Sequence, residues 1–197
     1  HRVAPQPPST SPDGICRLLQ LRRVAFVASE KPEMSVSAKT NQVEADMIAA
    51  MVERIFRQAD RFDYSATVGV IVPYRNQIAT VRNAIDRYGI PALHSITIDT
   101  VERFQGSQRD YIIYGLTVQQ RYQLNFLTDN VFEEDGTLID RKLNVAMTRA
   151  RKHLTIVGNP DILAGSAVYR RLMDFMKSRG CYFNVACEKF CAGDFSV

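Results

Sequence analysis

Val-Gly-Val-Ile-Val-Pro-Tyr-Arg-Asn-Gln, residues 68–77, is the stretch on which the reading of this 197-residue chain turns. A continuous apolar run of strand length, stopped by a proline, is the pattern of a strand buried on both faces. Ile78, Val81 and Ile85 follow at helical spacing and predict a helix over about 76–88. Working outward, the same alternation recurs. Val24–Ala28 is a short apolar run. Asn41 followed by Glu44 has capping-box spacing, and Val43, Met47, Met51 and Ile55 then repeat every four residues, predicting a helix over 41–59. Ser95–Ile98, Tyr111–Thr117 and Leu154–Val157 read as three further strands. Leu143–Arg151 and the Val168, Leu172, Phe175, Met176 series read as helices. Continuous apolar strands alternating with amphipathic helices predict an α/β fold, a parallel sheet with helices on both faces.

Composition sets the class. The chain carries 46% apolar and 23% charged residues, ordinary for a globular domain and unlike a disordered one. No apolar run reaches the roughly 18–20 residues that span a bilayer, so no membrane segment is expected. The net charge of +4 is compatible with a polyanionic partner. Cys16, Cys181, Cys187 and Cys191 form no Cys-x-x-Cys pair and have no nearby histidine. They are expected to be reduced thiols of a cytoplasmic protein, with no metal site. The Pro-, Ser- and Thr-rich start makes residues 1–23 a linker, 24–180 the domain and 181–197 a tail. The absence of an initiator methionine suggests a piece of a longer protein.

In parallel sheets, function gathers just past the carboxyl ends of strands. Tyr74 and Arg75 follow one such end, at the start of a helix. They suit a nucleotide, with a ring on Tyr74 and phosphate on Arg75, or form an ordinary turn with a solvated cation. Gln105-Gly106 can make a tight turn whose amide approaches a ligand. Arg149 and Arg151, two apart, point in different directions on a helix, so one can enter a cleft while the other stays on the surface. Neither a Gly-x-x-x-x-Gly-Lys-Ser/Thr loop nor a Gly-x-Gly-x-x-Gly occurs.

Taken together these segments carry a resemblance. Residues 70–77 resemble helicase motif IV, Thr97–Ile113 motif V, and Leu143–Asn159, with its Asn-Val-Ala-Met-Thr-Arg-Ala-Arg core, motif VI. Their order and spacing are similar to the second, C-terminal RecA-like domain of superfamily 1 DNA/RNA helicases. The closest branch contains the nonsense-decay RNA helicase and the Dna2-type nuclease-helicases. The resemblance implies that Tyr74 stacks on adenine, that Arg75 reaches the γ-phosphate and that Arg149 is the arginine finger, with Arg151 structural. It implies that Gln105 and Gly106 link nucleotide to strand, and that Gln108 stands where the family usually has a glutamate contacting ribose and finger. It further implies ATP, with Mg²⁺ held by an upstream RecA-like domain, and single-stranded DNA or RNA bound without sequence readout. On this reading the chain alone is an inactive monomer. The competing reading is a non-catalytic nucleotide- or nucleic-acid-binding module that keeps the helicase fold. The polar segment between motifs V and VI is longer than usual, and is either a surface hairpin or a partner contact.

Overall fold

The computed structural model describes residues 11–34, 37–104, 107–129, 131–134 and 137–197. In chain order the elements are α1 (Gly14–Leu21), β1 (Val24–Ala28), α2 (Gln42–Gln58), β2 (Val68–Val72), α3 (Arg75–Asp86), β3 (Thr97–Thr100) and β4 (Arg109–Gly115). There follow α4 (Gln123–Leu127), β5 (Val131–Glu134), β6 (Thr137–Asp140), α5 (Arg141–Arg149), β7 (Ala150–Gly158), α6 (Pro160–Leu163), α7 (Ala167–Ser178), β8 (Tyr182–Asn184) and α8 (Cys187–Ala192). Six strands form one sheet in the order β3-β2-β4-β7-β1-β8, every pairing parallel. β5 and β6 form a separate antiparallel hairpin.

Period-two alternation divides each strand between two cores. Ala25, Val27, Val68, Val70, Val72, Ile113 and Val157 face a core closed by α1, α2, α3 and α8. Phe26, Ile71, Ile112, Tyr114, Leu154 and Ile156 face the other, closed by α4, α5 and α7. Gly69 sits where this second face has no room: a Cβ there would lie 2.4 Å from Phe104 Cζ. The long apolar runs in the sequence exist because both faces of the sheet are covered.

The termini depart from the sequence expectation. The segment taken as a linker contains α1, whose Ile15, Leu18 and Leu19 are buried. The segment taken as a tail adds β8 beside β1, then α8, whose Phe190 is buried. Both are too short for periodicity to reveal them, and tertiary burial stabilises them. The stretch around Glu133 is the β5–β6 hairpin. The capping box at α2 forms by half. Asn41 Oδ1 accepts from Glu44 N at 3.0 Å, but Asn41 N donates to Gln77 Oε1 at 2.8 Å instead of to Glu44. Gln77 Nε2 returns a bond to Asn41 O at 2.8 Å, so one amide clamps the start of α3 to the start of α2.

Candidate functional site

The residues singled out in the sequence fall at the two opposite edges of the sheet. Tyr74 follows β2 at the carboxyl edge, and Arg75 opens α3. Around them the loop after β1, the loop after β2 and α4 enclose a crevice of about 770 Å³, lined by Lys39, Tyr74, Arg75, Asn76, Tyr122 and Phe126 among others. Tyr74 is buried, and one face of its ring is covered by Phe126, the centroids 5.0 Å apart and the planes 19° from parallel. Burial pushes its phenol up, opposed by Gln123 Nε2, which donates to the hydroxyl at 3.4 Å. Gln123 Nε2 also donates to Ala38 O at 2.7 Å, tying α4 to the loop after β1. Lys142 of α5 pairs with Asp129 at 2.9 Å, donates to Phe126 O at 2.8 Å and lies 4.2 Å from the Phe126 ring centre. Tyr74 and the Lys142 ammonium both contact the Phe126 ring, yet 44% of Phe126 stays exposed; Tyr122, four residues earlier, is 67% exposed. Arg75 is exposed. The crevice therefore presents two aromatic faces and two cations, Lys39 and Arg75, at the electropositive start of α3.

At the amino edge, Arg109 is level with Ala150 across β4 and β7. The residues just before them, Gln108 and Arg149, are consequently neighbours: Gln108 Nε2 donates to Thr148 O at 3.3 Å. Arg149 is half-buried at the end of α5, and its Nε is buried with no hydrogen-bond partner among the described residues. Arg151 points elsewhere, pairing with Asp110 at 2.9 Å and donating to Ala66 O at 3.0 Å, a lock across the strand ends.

Val68 is level with Tyr111, and β2 runs on to Val72 before Tyr74. About 30 Å of strand, nine residues at ~3.3 Å each, then separates Tyr74–Arg75 from Gln108–Arg149. Arg75 and Arg149 thus stand at opposite ends of the strands, and one face of the Tyr74 ring is covered by Phe126. Gln105 and Gly106 lie outside the described residues. The flanking chain runs from Thr100, level with Val72 at the carboxyl edge, to Gln108 at the amino edge. Sequence reading missed Gln77, Tyr122, Gln123, Phe126 and Lys142. The Tyr122–Phe126 spacing on one helix face was the available signal. Among the described residues no group of three or more His, Cys, Asp or Glu is placed to hold a metal ion, and no helix is long and apolar enough to cross a membrane.

The sequence profile of the family described as "AAA domain" matches residues 13–161. The chain is 32% identical over 159 residues to Helicase sen1 of Schizosaccharomyces pombe, covering 80% of this chain and 9% of that protein. It is 31% identical over 154 residues to Helicase SEN1 of Saccharomyces cerevisiae, covering 77% and 6%. It is 28% identical over 159 residues to the Regulator of nonsense transcripts 1 homolog of Neurospora crassa, covering 79% and 13%. The chain belongs to this AAA domain family, as the C-terminal RecA-like domain of a superfamily 1 helicase. It spans only a small part of the length of these relatives.

Proposed function

We propose that this domain is one half of an ATP-driven motor on single-stranded nucleic acid, and that the two edges of its sheet serve different ligands. The observation that carries the reading is the separation of the Gln108–Arg149 pair from the Arg75–Tyr122–Phe126 crevice by the length of the strands.

The amino edge fits a triphosphate. A guanidinium whose Nε is buried and has no partner among the described residues has donors to give. Arg149 would place its fixed positive charge where negative charge shifts on the phosphoryl oxygens, the role of a finger arginine. Gln108 adds a neutral hydrogen-bonding group beside it. When bound between this domain and an upstream RecA-like domain that holds Mg²⁺, ATP supplies the phosphoryl transfer that drives the cycle.

The carboxyl edge fits a strand. Lys39 and Arg75 suit phosphates, and the exposed parts of the Tyr122 and Phe126 rings suit contact with bases, a combination tolerant of sequence. Tyr74 then supports Phe126 from behind. The chain from Thr100 to Gln108 joins the two edges, which makes it the route by which nucleotide state reaches the strand. The binding-module alternative differs only in lacking turnover when joined to its upstream domain.

The test is Arg149→Ala in the longer protein that carries this domain. Turnover should fall by about 10³–10⁵, with nucleotide-free strand binding unchanged. Near-normal turnover in a folded variant removes Arg149 from the ATP site. The 197-residue chain alone should release no phosphate, since a finger without positioned phosphate, metal and water is incomplete.

A further inference from the structure

Cys187 and Cys191 lie one helical turn apart on α8, with their Sγ atoms 3.9 Å from each other and in hydrogen-bond contact. Both are half-buried, and both line a cavity of about 530 Å³ whose other walls include Asp46, Arg87, Tyr88 and Glu188. Arg54 reaches the same spot, donating from Nη2 to Cys191 O at 3.0 Å. This cavity shares no lining residue with the crevice at Tyr74 and Arg75. Arg87 follows the far end of α3, about 18 Å along the helix axis from Arg75.

We propose that Cys187 and Cys191 form a peroxide-oxidisable dithiol, with Cys191 the attacking thiol and Cys187 the resolving one. Redox-responsive cysteines are accessible, held near cations and set beside a second thiol, and this pair meets all three conditions. The contact with Cys187 and the nearby Arg54 and Arg87 lower the Cys191 thiol, with burial and Asp46 opposing. Cys187 moves the other way, raised by the same contact, by burial and by Asp46 and Glu30, and its Sγ is also placed to donate to Val43 O at 3.7 Å.

In the first step the Cys191 thiolate attacks one oxygen of hydrogen peroxide. An S–O bond forms, the O–O bond breaks, and the departing hydroxide takes up the Cys191 proton as water. In the second step Cys187 attacks the Cys191 sulfur. The S–S bond forms, the S–O bond breaks, and hydroxide leaves with the Cys187 proton as a second water. Two thiols and one peroxide give one disulfide and two waters. Residues four apart on a helix have Cα atoms about 6.2 Å apart, inside the disulfide window. Their Cβ atoms must close in, and α8 is six residues long and ends at Gly193 with φ 75°, so the adjustment stays local.

The test treats the 197-residue chain with stoichiometric hydrogen peroxide. The expected result is a mass loss of about 2 Da, reversed by dithiothreitol. Trypsin cuts after Lys189, between the two cysteines, so in Cys181→Ser the disulfide appears as a linked peptide pair. Cys187→Ser should stop at a sulfenic acid on Cys191 that dimedone traps. In the unmutated chain Cys191 should alkylate about ten-fold faster than Cys16 or Cys181, a readout that needs no variant. Oxidation spread evenly over the four thiols overturns the proposal. So does sulfinic acid on Cys191 with Cys187 left free.

Discussion

Arg149 and Phe126 are the two residues on which the functional reading rests, and each has a physical oddity. A buried donor without a partner costs about 1–3 kcal/mol, and among the described residues Arg149 Nε has none. A ligand oxygen at the amino edge would recover that cost. Phe126 packs against Tyr74 and the Lys142 ammonium while 44% of it meets solvent. Stacked bases contribute about 1–3 kcal/mol each by alanine substitution. Phe126→Ala in the full-length protein should therefore weaken single-strand affinity about 5- to 150-fold, read by fluorescence anisotropy at fixed salt. Tyr74→Phe should keep that affinity, since it keeps the supporting ring. Unchanged affinity in Phe126→Ala would remove the crevice from the strand path.

At the scale of elements, β2 and α3 were legible because each obeys one period over its whole length. β1 and α2 were legible for the same reason. The ends of the chain were not, because α1, β8 and α8 take their order from contacts with residues far away in sequence: Gly14 N donates to Gly193 O at 2.7 Å, and Phe26 N to Cys181 O at 2.8 Å. The site was half legible. Motif spacing marked Tyr74, Arg75, Gln108 and Arg149, but that Gln108 and Arg149 are neighbours depends on strand register, which no local pattern encodes. The Gln77 clamp carries a prediction at this scale. Gln77→Ala leaves the buried Asn41 N–H without its partner, while Asn41 O still accepts from Ala45 N, and should cost about 1–3 kcal/mol, read as a shift of the urea midpoint. Gly69→Ala should also destabilise, by about 1–3 kcal/mol, because Phe104 must move out of its packed position.

For the whole molecule, two buried titrating groups set a pH profile. Glu44 is fully buried, and burial pushes its carboxyl from 4.5 up to about 8, against the Thr117 N–H and the Ser29 hydroxyl. The folded state holds a proton there that the unfolded chain releases. Its stabilising effect is full below pH 4.5 and is lost as pH rises through about 8. His153, between Arg22 O at 2.6 Å and Thr155 Oγ1 at 2.7 Å, is lowered by burial from 6.5 to about 4. Its contribution is present above pH 6.5 and is lost as pH falls toward 4. The two oppose each other between 4.5 and 6.5, so the net decline appears from about 6.5 to 8. Denaturant midpoints should fall across that interval in the native chain and stay flat in Glu44→Gln. An equal decline in both would assign the effect to another group.

The claim that two edges of one sheet serve two ligands is tested most directly by one pair of variants in the full-length protein. ATP turnover without nucleic acid and strand affinity without nucleotide are measured for Arg149→Ala and Phe126→Ala side by side. A crossed result is expected: Arg149→Ala loses turnover and keeps strand affinity, while Phe126→Ala keeps basal turnover and loses strand affinity. Loss of the same quantity in both variants would place Arg149 and Phe126 at one ligand and contradict the account.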